Sequence, residues 1–177
     1  MKLFLVLASL STLVLAAVLT RAQAEQKAGS GTVPLHATFH VVWGQSRCPK
    51  GTPVLTPSGS IVPCYRKIGR GNVAGFGRAT VEYTLVVWNI DTSCERWRFR
   101  ATLTVLRKGS IFTTAHSKGC FSPDQTQREF VFNAIGGSDA FSGASGRGTI
   151  SITHVSKGPS GRGTETETWS GRLSLRR

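Results

Sequence analysis

Hydrophobic and polar positions alternate cleanly over "WRFRATLTVLRKGSIFTTAHSKGC", residues 97–120. Trp97, Phe99, Ala101, Leu103 and Val105 fall on one face, and Arg98, Arg100, Thr102 and Thr104 on the other, which predicts a half-buried strand. Lys108-Gly109 supplies a glycine where a tight hairpin turn needs positive φ. The predicted hairpin pairs Arg107 with Ser110 and brings Trp97 near Cys120. The same period of two recurs in "LHATFHVVW" (35–43), "ATVEYTLVVWNI" (79–90), "REFVFNAI" (128–135), "GTISITHV" (148–155) and "TETETWSGRLSL" (164–175). Turn-forming runs such as "GRGNVAG", "SPDQ" and "KGPSGRG" separate these segments, and none shows a helical repeat. Many short strands divided by glycine turns predict an all-β sandwich or barrel in a single domain. The loosest parts are expected at 25–32 and in the excursion 44–72.

Helical hydrophobicity is confined to residues 1–24, where Lys2 precedes an apolar run from Leu3 to Leu19 and then Ala22-Gln23-Ala24. That order is the signature of a cleaved secretory signal peptide, and no later stretch is apolar enough to span a bilayer. Cleavage after Ala24 leaves 153 of the 177 residues, enough for one core. The expected organisation is a signal peptide at 1–24, a disordered segment at 25–34 and a barrel domain at 35–177. The product is secreted, extracellular or periplasmic, with no membrane association after cleavage.

All four cysteines, Cys48, Cys64, Cys94 and Cys120, follow the leader, and an even number in an exported chain predicts two disulfides. The hairpin brings Cys94 and Cys120 to one end, leaving Cys48 to clamp to Cys64 around "PKGTPVLTPSGSIVP". Each loop closure is worth about 3 kcal/mol in the chain-entropy account. The spacing is not that of a zinc site.

Without Lys2 and Arg21, 20 of the 22 Lys and Arg residues stand against nine Asp and Glu, a net +11 on the mature chain. Such a surface attracts polyanions by counterion release. The plainer reading is a basic soluble protein, and no aromatic–basic alternation of an RNA-reading sheet is present. Sequence-specific nucleic-acid binding is not expected.

The stretch "IGGSDAFSGASGRGTISI" (135–152) places five glycines within residues 136–148. A phosphate loop would lead into a helix, whereas "RGTISITHV" is a strand, so these glycines mark a chain corner. "FVFNAIGGSDAFSGASGRGTISI" resembles the segment F-x-x-x-G-G-T-G-x-F-x-G-A-x-G-x-G of secreted barrels related to plant allene oxide cyclases and dirigent proteins. Gly136, Gly137, Phe141, Gly143, Ala144, Gly146 and Gly148 match, Ser138 replaces Thr, and Asp139 stands where the family has Gly. The resemblance extends over roughly 75–175, through "GRATVEYTLVVWNID" and "ETWSGRLSL". It implies a calycin-like antiparallel barrel of about eight strands and a tendency to form oligomers. The resemblance to the cyclases implies a glutamate and an asparagine working inside the barrel, and the first strand "LHATFHVVWG" contains neither, so no catalytic residue transfers.

Candidate chemistry is sparse. His36 and His40 lie on one strand about 13 Å apart, too far to share an ion, and read as surface residues; His116 and His154 could meet a partner only through an unknown register. No metal or cofactor is expected, and no nucleophile elbow is present. Glu165 and Glu167 share parity with Trp169, Leu173 and Leu175 and would point inward if the strand stays regular. The plainer expectation is a frayed or bulged strand with both carboxylates solvated. Tyr83 shares a face with Val81, Leu85 and Val87 and reads as core. Glu165, Glu167, Trp169 and Tyr83 thus form the candidate pocket. The expected function is a non-catalytic module binding a small apolar ligand or an extracellular partner. The alternatives are an isomerase or cyclase using Glu165 or Glu167 as acid-base on an apolar substrate, and a polyanion-binding surface protein.

Overall fold

The computed structural model describes residues 31–56, 59–89, 93–122, 125–158 and 161–176, with Asn89 and His154 described by backbone alone. The signal peptide at 1–24 and residues 25–30 of the N-terminal segment lie outside the described residues. Eight strands follow in chain order: β1 (Thr32–Gln45), β2 (Cys64–Val73), β3 (Gly77–Asn89), β4 (Glu95–Val105), β5 (Gly109–Ser117), β6 (Arg128–Gly137), β7 (Ser145–Lys157) and β8 (Arg162–Ser174). Each pairs antiparallel with the next, and β1 pairs with β8, so the sheet closes into a barrel without an edge. β1 takes in Thr32, Val33 and Pro34, which the sequence assigns to the N-terminal segment.

Alternation sorts the side chains. On β4, Trp97, Phe99, Ala101, Leu103 and Val105 are buried while Arg96, Arg98, Arg100, Thr102 and Thr104 face outward. The inward rows form one core, dominated by Phe39, Phe130, Phe132, Phe141 and Trp169. Among the described residues no helix is long and apolar enough to cross a membrane.

Two expectations are corrected. The β4–β5 hairpin pairs Val105 with Gly109 and Arg98 with His116, so Arg107 does not pair with Ser110 and Trp97 lies opposite Ser117, to which its N–H donates at 3.2 Å. The turn is three residues long because Arg107 itself takes a left-handed φ of 62°. Gly109, at φ 109°, is held against the β6–β7 corner, where an added Cβ would meet the Ser138 carbonyl oxygen at 2.4 Å. The change turns Ile111, Thr113 and Ala115 inward and leaves Phe112 40% exposed. Cys94 and Cys120 still meet, carried by an antiparallel bridge between Glu95 and Phe121.

The second correction is β2, which occupies most of the latter half of the supposed excursion. Its inward positions are Tyr65, Lys67, Gly69, Gly71 and Val73, whereas Ile68 faces out, which inverts the usual hydrophobic pattern. Gly71 is required by close strand approach, since a Cβ there would sit 1.9 Å from the Thr38 carbonyl oxygen.

The glycine-rich stretch is a corner, as expected. β6 ends at Gly137, a 3-10 turn covers Asp139–Phe141 with Asp139 at φ 52°, and β7 begins at Ser145. The turn drives Phe141 fully into the barrel, 5.3 Å from the Phe76 ring. This closes one end. Both disulfides, Cys48–Cys64 and Cys94–Cys120, lie at the other.

Candidate functional site

β8 stays in unbroken register with β1 from Thr32 opposite Ser174 to Gly44 opposite Arg162. Glu165, Glu167, Trp169 and Leu173 therefore all face the interior, with Glu165 4% and Glu167 0% exposed. The expectation of two solvated carboxylates is overturned. An irregularity does occur nearby, but it falls between Thr153 and Ser156 on β7 and leaves the direction of β8 intact.

Charge cannot be left unpaired at such depth, and each carboxylate has partners. Lys67 Nζ forms an ion pair with Glu165 Oε1, both side chains being almost fully buried. The Tyr83 hydroxyl donates to Glu167 Oε1, and the Trp169 indole N–H donates to Glu167 Oε2 at 3.0 Å. Tyr83 is stacked on Phe99 at 4.1 Å between centroids, which fixes its ring. Lys67 Nζ also stands 5.8 Å from the centroids of Tyr83 and Trp97, within cation–π range.

Burial pushes the Glu167 carboxyl up to about 7, and the negative charge of Glu165 adds to the rise. Lys67 and the two donors oppose it. Tyr83 is raised well above the usual phenol range, chiefly by burial and then by Glu167 and Glu165, and remains a donor. The interior thus holds a fixed ion pair beside a carboxyl that exchanges its proton near neutrality.

At the disulfide end, a cavity of about 150 Å³ opens above the ion pair. Trp43, Tyr65, Leu85, Val87 and Trp97 wall it, Lys67 and Glu165 form its floor, and Pro63, Glu95, Arg128 and Lys157 complete it. That volume accommodates a group about the size of a benzene ring. Arg128 is 8% exposed, with its Cζ 4.1 Å from the Trp97 centroid, and the Trp97 indole N–H donates to Glu95 Oε2 at 3.0 Å. Burial lowers the Arg128 pKa, opposed by Glu95, Glu165 and Tyr65.

Two buried side-chain donors lack a hydrogen-bond partner among the described residues, Trp43 Nε1 and Arg128 Nε. Both residues line the cavity. A buried donor without an acceptor costs about 1–3 kcal/mol, and both of these donors belong to residues of the cavity lining, where an acceptor from outside the chain would relieve that cost.

The structure brings Glu165, Glu167, Trp169 and Tyr83 together in one interior cluster, but the cavity wall includes only Glu165 of these. Sequence reasoning missed Lys67, Arg128, Trp43 and Glu95. Arg128 carried a usable signal, since it shares parity with Phe130, Phe132 and Ala134. Lys67 carried almost none, because its inward neighbours on β2 include Gly69 and Gly71. His36, His40 and His116 are exposed, and no group of three His, Cys, Asp or Glu among the described residues could hold a metal. No protein-family profile matches the chain, and no curated protein matches it.

Proposed function

We propose that the chain is an exported, non-catalytic barrel module that takes a small molecule with an apolar body and an acidic head into the cavity at its disulfide-bonded end. The observation that carries this reading is the pair of unpartnered donors, Trp43 Nε1 and Arg128 Nε, on residues lining one cavity. Aromatic and aliphatic walls suit an apolar body. Arg128 and Lys157 favour an acidic head over a neutral one, because a carboxylate would satisfy the donors and offset the burial of the guanidinium. The apolar leader and the two disulfides support export. Kinship with the allene oxide cyclase and dirigent barrels is part of the proposal, supported by the eight-strand closure and the glycine corner.

A second reading is an isomerase or cyclase with Glu167 as acid-base, favoured by its pKa of about 7. Glu167 is not on the cavity wall, so a substrate would first have to displace the Lys67–Glu165 pair. That requirement makes binding the stronger reading.

Calorimetry with phenylacetate and octanoate against their methyl esters tests the proposal. The acids are expected to bind, with Arg128→Met weakening them at least tenfold. Binding of the esters alone would remove the acidic head, and binding of neither class would remove the ligand-binding reading.

A further inference from the structure

The outside of the barrel carries a row of basic side chains that lies apart from the cavity lining. Arg96, Arg98 and Arg100 all project outward from β4. Alternate residues on a strand stand about 7 Å apart on one face, so these three guanidinium groups form a ladder of roughly 14 Å. The register sets Arg100 beside Thr84 and Arg98 between Val86 and His116. Arg98 is steadied over the Trp88 ring at 5.4 Å.

Among the described residues, acidic side chains do little to offset this ladder. Glu165 and Glu167 are inside the barrel, Glu129 is held by Lys118 at 2.9 Å, and Glu82 is held by Arg66 at 2.5 Å. The two interior carboxylates are matched by buried Lys67 and Arg128, so the outer surface keeps the formal excess of basic residues.

The β1–β2 connection overhangs this face. It turns at Pro49, where the Thr52 N–H donates to the Pro49 carbonyl at 3.1 Å with Gly51 at φ 83°, and Cys48 ties it to Cys64 at the start of β2. Turn and sheet enclose an open groove of about 580 Å³, lined among others by Lys50, Thr52, Thr84, Arg98, Arg100 and Thr114. We infer that this groove binds a linear acidic polysaccharide bearing sulfate or carboxylate groups. The guanidinium forks match planar or tetrahedral oxyanions, and the three threonine hydroxyls match sugar hydroxyls. Among the described residues lining the groove no outward-facing side chain is aromatic, and the neighbouring Trp88 ring is covered by Arg98, which argues for a glycan over a single strand held by base stacking.

Binding of a fluorescent heparin oligosaccharide to the mature chain, followed against salt, tests the site. The triple variant Lys50→Ser, Arg98→Ser, Arg100→Ser is compared with Arg147→Ser, Arg162→Ser, Arg172→Ser, which removes the same charge from β7 and β8. The first set should lose at least tenfold in affinity near physiological salt, with a log–log salt slope shallower by about 2–3, while the second stays within about threefold. In the unaltered protein, bound heparin should also shield Lys50 from amine acetylation more than Lys118. Equal losses in both triples, equal protection of the two lysines by heparin, or tighter binding of a single-stranded oligonucleotide of matched charge would each overturn the assignment.

Discussion

Lys67 Nζ and Glu165 Oε1 form an ion pair inside the barrel although they belong to β2 and β8, strands that are not paired in the sheet and are separated by β1. Their separation of 98 residues means that the pair exists only once the barrel has closed. It therefore acts as a lock on the closure, and a selective one, since either partner alone would be a buried uncompensated charge.

Removing one partner should cost far more than removing both. Lys67→Met is expected to lose about 3–5 kcal/mol in urea unfolding, whereas Lys67→Met with Glu165→Leu should recover most of that loss. Additive losses in the double-mutant cycle would show that the two side chains are not coupled.

Glu167 makes stability depend on pH with a definite sign. Its carboxyl titrates near 7 in the fold against an ordinary 4.5, so between these values the folded state binds the proton more tightly than the unfolded state. The contribution is present below pH 4.5 and is lost as pH rises to about 7, at about 1.4 kcal/mol per unit. Melting scans should show the unaltered protein losing more stability from pH 5 to 7.5 than Glu167→Gln, at roughly 3 °C per kcal/mol. Identical slopes would mean that Glu167 is ionised throughout.

The barrel was legible because seven of its eight strands carry an alternation that a reader can follow, β4 most clearly through Trp97 to Val105. β2 was illegible for a physical reason. A barrel interior that buries an ion pair places Lys67 inward, and tight strand crossing places Gly69 and Gly71 there, so the strand lacks an apolar face. The parity of Glu165 and Glu167 with Trp169 was visible, but their inward direction depended on Lys67 and Tyr83, partners that local sequence cannot pair with them. The hairpin register failed because Gly109 answers to Ser138 across the corner and not to its own turn.

The closed end should be energetically important and functionally silent. Phe141 is fully buried there, away from the cavity walls, so Phe141→Ala is expected to cost about 3–5 kcal/mol while leaving acid binding at the other end within about twofold. Chemical denaturation and calorimetry on the same variant check both halves, and a large loss of binding by a protein that is still folded would show that the two ends are coupled.

The indole N–H signals of the four tryptophans report most directly on the claim that the cavity takes an acidic ligand. Among the described residues Trp43 Nε1 has no hydrogen-bond partner, whereas Trp97 donates to Glu95 and Trp169 to Glu167. In a titration of the ¹⁵N-labelled protein with octanoate, the Trp43 indole proton should move downfield as it gains an acceptor, while that of Trp169 holds its place. A Trp43 signal that stays fixed at saturating acid would contradict the account.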